Sequence, residues 1–157
     1  AKLSIGRMIV ADEAVEGYAG DITPEEAWEI LKSEENAVLV DVRSAAEWKF
    51  IGSPDLSSIG KTAALIEWKG YPGSGDSMVE NPDFIANVKA ACPDSKAKIL
   101  SLCRSGQRSI STSVLLTQEG YSQCYNVLEG FEGNKNDNEQ RGQVGGWKVR
   151  GLPWKQS

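Results

Sequence analysis

Ala97-Lys98-Ile99-Leu100-Ser101-Leu102-Cys103-Arg104-Ser105-Gly106-Gln107-Arg108-Ser109 decides the fold of this 157-residue chain. The run from Ala97 to Leu102 is short and mostly apolar, which predicts a strand covered on both faces. A helix follows from Ser109, its expected cap, to about Glu119, and Gly120 ends it. A cysteine therefore heads a tight loop at the carboxyl end of a buried strand.

Outward from this unit the same alternation recurs. Thr23-Pro24-Glu25-Glu26 predicts a capped helix start, with Pro24 in the first turn and Glu26 completing a capping box, and the helix runs to about Ser33. Ala37 to Val42 is a valine-rich apolar strand, and Ser44 with Glu47 repeats the capping pattern over a short helix. Gly52 to Gly60 and Gly70 to Asp76 are expected loops flanking a strand from Thr62 to Trp68.

Asn81-Pro82-Asp83 opens a helix that stops near Cys92-Pro93, and Gln123 to Val127 supplies a last strand. Residues 134 to 146 are rich in Asn, Gln and Gly, so an exposed, mobile tail is expected before Trp147 and Leu152-Pro153-Trp154 dock back. The expected fold is α/β: an open, mostly parallel five-stranded sheet with helices on both faces, in one domain over residues 1–157. Ligands bind such sheets beyond the carboxyl ends of the strands, where Cys103 sits.

Seventeen basic and twenty-two acidic side chains leave a net charge of -5, which opposes nonspecific binding to nucleic acid or anionic membrane. No apolar run reaches the length of a membrane span, so neither partner is expected. Three widely spaced cysteines, Cys92, Cys103 and Cys124, form no metal-type motif and cannot all pair, which favours a reducing, cytoplasmic setting. There is no histidine, so the commonest general base and metal ligand are missing, and with them every Cys/His pairing.

An ordinary cysteine thiol ionises near pH 8.5 and needs electrostatic help to be a nucleophile at neutral pH. The loop can provide that help. Ser105 and Gly106 let backbone N–H groups curl towards one point, with Gln107 and Ser109 completing the turn into the helix, whose positive end faces the sulfur. Arg104 and Arg108 bring two permanent positive charges into an acidic chain, and their planar forks suit an oxyanion. The plainer alternative is an inert buried thiol beside solvated arginines.

These residues resemble the active loop of the rhodanese family, and other blocks match in order and spacing. Asp41-Val42-Arg43 with Glu47-Trp48 resembles the motif after that family's second strand. Gly120-Tyr121, Asn126-Val127 and Gly130-Phe131-Glu132-Gly133 resemble its last strand and following loop, and Gly146-Trp147 with Gly151-Leu152-Pro153-Trp154 resembles single-domain members. The chain departs from the pattern after Trp48, where Phe50-Ile51-Gly52-Ser53-Pro54 replaces a Gly-His-Ile stretch, and in a longer region from Asp55 to Asn81.

The resemblance implies sulfur transfer through a persulfide on Cys103. The donor would be a small sulfur-containing anion or a persulfide, and the acceptor cyanide, a thiol or another protein's cysteine, with no metal or organic cofactor. Arg104, Ser105, Gly106, Gln107, Arg108 and Ser109 would bind the donor. A rival is cysteine phosphatase or arsenate reductase chemistry. In those phosphatases five residues separate Cys from Arg, after a histidine, whereas here four lie between Cys103 and Arg108 and Leu102 stands in the histidine's place. Asp55 and Asp76 are the acids such a reaction would call on, and neither lies in a supporting motif. A third alternative is a noncatalytic interaction module of the same fold.

Other residues have structural explanations. Asp41 and Arg43, at a strand end, are expected to form a buried ion pair that positions loops behind the site. Glu47 is expected to cap a helix, and Trp48 to lie in the core. Trp28 and Trp68 should pack against the sheet, with Trp147 and Trp154 pinning the tail. Cys92 and Cys124 should act as small buried hydrophobes, and Gly130 to Gly133 should line the rim of the site.

Overall fold

The computed structural model describes residues 17–70 and 78–157. Five parallel strands form the central sheet: β1 (Gly20–Ile22), β2 (Val38–Asp41), β4 (Ala64–Leu65), β7 (Lys98–Leu102) and β8 (Gln123–Val127), in the spatial order β1-β8-β7-β2-β4. Register is fixed in the middle by Val38 to Asp41 lying beside Ile99 to Leu102, and by Lys98 to Ser101 lying beside Gln123 to Asn126. The expected sheet is thus present, and all of its pairings are parallel.

Alternation along the central strands sends side chains to two separate cores. Val40, Ile99, Cys103 and Cys124 face one core, closed by Phe84 and Val88 of helix α3 (Phe84–Ala91) and Leu116 of helix α4 (Arg108–Gln118). Leu39, Leu100, Leu102 and Val127 face the other, closed by Ala27 and Leu31 of helix α1 (Pro24–Ser33) and by Phe131 and Trp147. The predicted capping boxes form at Thr23 with Glu26 and at Ser44 with Glu47, the latter opening helix α2 (Ala45–Phe50). Trp48 lies half-buried in α2, a helix with no fully buried residue, so it is not a core side chain.

Several expectations change. The strand expected over Thr62 to Trp68 is reduced to β4, because only Ala64 and Leu65 pair with β2 before the chain bends. Lys69–Gly70 (β5) then pairs antiparallel with Val79–Glu80 (β6). The expected loop from Gly52 to Gly60 contains β3 (Ser53–Pro54), which pairs antiparallel with β9 (Trp154–Lys155). The loop expected up to Asp76 lies outside the described residues beyond Gly70.

Residues 134–146 are largely exposed as expected, but they are pinned by their own hydrogen bonds. Asn136 Oδ1 accepts the N–H groups of Asn138 and Gln140, and Arg141 donates to the Gly133 carbonyl at 2.8 Å. Trp147 is completely buried, meets Trp28 edge-on at 6.1 Å and donates from Nε1 to the Pro153 carbonyl at 2.7 Å. Among the described residues, no helix is long and apolar enough to cross a membrane.

Asp41 and Arg43 form the expected ion pair, with Nη2 and Oδ2 at 2.7 Å and both side chains fully buried. Arg43 also donates from Nη2 to the Gly52 carbonyl at 2.8 Å and lies 4.2 Å over the Phe131 ring. It ties β2 to the loop after α2. Asp41→Ala strands the buried guanidinium and should cost about 3–5 kcal/mol of unfolding free energy, measured by urea denaturation. A loss below about 1 kcal/mol would show that the buried charge is compensated elsewhere.

Candidate functional site

The loop after β7 is shaped by main-chain contacts from the turn that follows β8. Phe131 N–H donates to the Cys103 carbonyl at 2.8 Å, and Glu132 and Gly133 N–H groups donate to the Arg104 carbonyl at 2.9 and 3.1 Å. This approach is possible because residue 130 is glycine: at its φ of 62°, a Cβ would overlap the carbonyls of Cys103 and Arg104. The turn expected to line the rim therefore lies directly against the loop.

The loop folds over the Cys103 sulfur. Gly106, at φ 97°, donates its N–H to Sγ at 3.1 Å, and the Ser109 hydroxyl lies 3.1 Å from the same sulfur. Cys103 is 1% exposed. Ser109 does not cap α4. The helix begins one residue earlier, at Arg108, and Gln107 occupies the cap without a side-chain bond. The Ser109 hydroxyl is freed from the cap and reaches Asn126 Oδ1 at 2.5 Å as well as the sulfur.

The two arginines of the loop differ. Arg104 is exposed, whereas Arg108 is engaged by Glu47 through two bonds, Nη1 to Oε1 at 2.9 Å and Nη2 to Oε2 at 2.8 Å. Burial works against both charges. For Arg108 the bond to Glu47 outweighs burial, and its guanidinium is held above its ordinary value. For Glu47 the bonds to Arg108 and Ser44 likewise win, and the carboxyl lies below its ordinary 4.5. Ser105 and Gln107 stand on the outer side of the loop, half-buried and exposed respectively. Asp41 and Arg43 lie fully buried at the end of the neighbouring strand, where Val42 N–H donates to the Leu102 carbonyl at 2.9 Å.

The sequence reading missed the polar chain beneath the sulfur. Asn126 donates from Nδ2 to Asp21 Oδ1 at 3.0 Å and to the Gly106 carbonyl at 3.3 Å, and the Tyr18 hydroxyl donates to Asp21 Oδ1 at 2.8 Å. A signal was present, since alternation along Gln123 to Val127 puts Asn126 on the same face as the buried Cys124, and a buried amide must find partners.

Cys92 and Cys124 are buried as expected, and burial pushes the Cys124 thiol up to about 11, so it is neutral at pH 7. The Asp55 carboxyl is held below the ordinary value by hydrogen bonding from Ser57, by its side chain first and then its N–H, which suits Asp55 poorly to a general acid. It lines a shallow pocket with Lys61 and Lys155 that includes none of residues 103–109. Asp76 lies outside the described residues.

Residues 19–157 match the family model described as the STR4 middle domain. The chain belongs to this rhodanese-like family. Rv0390 of M. tuberculosis, known from a crystal structure, is 44% identical with a TM-score of 0.78, covering 89% of this chain and 99% of that one. An uncharacterized protein of Rickettsia conorii is 38% identical over 135 residues, 85% of this chain and 95% of the relative. The thiosulfate sulfurtransferase GlpE of Actinobacillus succinogenes is 28% identical over 133 residues, 85% of this chain and 87% of the relative. The rhodanese-like fold and the expected α/β sheet agree.

The Glu47–Arg108 pair makes a pH prediction. A carboxyl whose folded value is depressed adds stability that is present above its unfolded value, near 4.5, and is lost as pH falls through the lower folded value. Wild type should therefore exceed Glu47→Gln in unfolding free energy by a constant margin from about pH 7 to about pH 5, and the margin should shrink towards about pH 3. Urea denaturation across this range measures it. A margin independent of pH would show that the charge on Glu47 is not what holds Arg108.

Proposed function

We propose that the protein is a sulfurtransferase in which Cys103 carries sulfane sulfur as a persulfide. The observation that carries this reading is the seating of Sγ at the head of α4, where it accepts the Gly106 N–H at 3.1 Å in a loop of four residues between Cys103 and Arg108. The 28% identity to a protein named a thiosulfate sulfurtransferase supports the same chemistry.

In the first half-reaction the Cys103 thiolate attacks the outer sulfur of a donor such as thiosulfate. The donor's S–S bond breaks, sulfite leaves with the bonding electrons, and Cys103 becomes a persulfide whose terminal sulfur bears the negative charge. In the second, a thiophilic acceptor such as cyanide, a small thiol or a protein cysteine attacks that terminal sulfur and returns Cys103 as thiolate. Backbone N–H groups of the loop and the positive end of α4 stabilise the anionic sulfur. Exposed Arg104 meets the donor first, and Arg108, anchored by Glu47, adds its field from a fixed position.

Phosphoryl chemistry fits less well, because Glu47 already occupies one edge of the Arg108 fork and the candidate acid Asp55 is a low-pKa carboxylate in a separate pocket. Incubation with thiosulfate followed by intact-mass measurement should add one sulfur, about 32 Da, to wild type and nothing to Cys103→Ser. Cyanide should remove it. Phosphate-ester or arsenate turnover without the sulfur adduct would favour the rival chemistry, and the absence of all three would favour an interaction module.

A further inference from the structure

Ser109 has one hydroxyl proton and two neighbours that compete for it. Its Oγ lies 2.5 Å from Asn126 Oδ1 and 3.1 Å from Cys103 Sγ. The amide orientation of Asn126 settles the competition. Its other end faces two groups that only accept, the Asp21 carboxylate at 3.0 Å and the Gly106 carbonyl at 3.3 Å, so Nδ2 must point there. Oδ1 then faces Ser109, and an amide oxygen can only accept. The hydroxyl proton goes to Asn126, and Ser109 turns a lone pair towards the sulfur. A lone pair welcomes a thiol, whose S–H can donate to it, and repels a thiolate.

We propose that Asn126, anchored by Asp21, is a positioning residue that withholds the Ser109 proton from Cys103 and so restrains formation of the thiolate. When the sulfur loses its proton to solvent, Ser109 must rotate its O–H towards Sγ, and Asn126 Oδ1 loses its donor inside the protein. Ionisation of Cys103 is therefore coupled to breaking a buried hydrogen bond. Tyr18, buried and donating to Asp21 Oδ1 at 2.8 Å, keeps the anchor in place. Of the other charged side chains around the loop, Arg108 is paired with Glu47 on α2 and Arg43 with Asp41 on β2, exposed Arg104 lies on the outer side of the loop, and Glu132 of the turn after β8 carries a buried Oε2 with no hydrogen-bond partner among the described residues.

This inference rests on Cys103 as the nucleophile of the proposed function, and its test reads alkylation of that sulfur rather than turnover. Iodoacetamide labelling of Cys103, followed by peptide mass spectrometry in the folded protein, should be roughly three- to tenfold faster in Asn126→Leu than in wild type at about pH 6.5, the range that one hydrogen bond spans. The gain should fade at alkaline pH, where a cysteine is thiolate without help. It should also vanish in Asn126→Leu with Ser109→Ala, because the freed hydroxyl is its source.

Asp21→Ala, at the half-buried middle position of β1, releases the amide to turn Nδ2 towards Ser109. It should accelerate labelling in the same direction and keeps the proposal testable where Asn126→Leu fails to fold. Unchanged labelling in both variants would overturn the proposal. So would an acceleration that persists without the Ser109 hydroxyl or is equal at every pH, since loosening of the loop alone would produce either. If thiosulfate leaves no persulfide, sulfur transfer falls, while the labelling cycle still decides the role of Asn126.

Discussion

The carbonyls of Cys103 and Arg104 are held by three N–H groups of the turn after β8, from Phe131, Glu132 and Gly133. Nearly everything else near the site follows from this grip. With their oxygens drawn back into the turn, the next residues curl the other way, and Gly106 N–H meets the sulfur. The turn is itself braced from behind. Trp147 N–H donates to the Gly130 carbonyl at 2.8 Å, and Gly146 N–H donates at 2.9 Å to Glu129, whose carboxylate also receives Arg150. The C-terminal tail thus contributes to the shape of a loop more than forty residues earlier, through buried Trp147 and without reaching the sulfur.

Charge is arranged with the same economy. Of the arginines that stand near Cys103, Arg43 is fully buried against Asp41 and Arg108 is tied to Glu47, so neither presents a bare cation. A buried guanidinium without a partner would cost several kcal/mol, and the pairs avoid that cost while fixing β2, α2 and α4 relative to one another. In the proposed sulfur transfer, anion recognition would then fall to backbone N–H groups, the end of α4 and exposed Arg104. That distribution favours the proposed sulfur transfer, in which the substrate's charge is shared with a covalently attached sulfur, over chemistry needing a full arginine cradle.

Much of this was legible locally. The strand at Lys98–Leu102, the helix after it and the capping boxes at Thr23 and Ser44 depend on residues three or four positions apart, where propensity and pattern act. Asp41 and Arg43, two apart, were likewise readable as a pair. Contacts across the fold were not. Glu47 showed itself as a cap, but its bond to Arg108 spans 61 positions. Asn126 and Asp21 are 105 positions apart and meet only because β1 adds to the sheet beside β8. Ser109 was misread as a cap for a related reason: the same hydroxyl can serve a helix end or a tertiary partner, and the short bond to Asn126 wins once the strands are assembled.

The polar chain under the sulfur also explains why such a strand can carry Asn126 in the middle of a buried sheet. A buried amide is tolerated only when both ends are satisfied, and here Asp21 and Gly106 take its N–H groups while Ser109 supplies its oxygen. Removing any one partner leaves a donor or acceptor without a bond inside the protein. The network therefore has few alternative arrangements, and the one available to it, rotation of the Ser109 hydroxyl, involves the Cys103 sulfur directly. On the proposed role of Asn126, stability of the strand and reactivity of the cysteine are set by the same proton. A substitution that improves one should move the other, which makes residues 21, 109 and 126 a single unit in any account of this site.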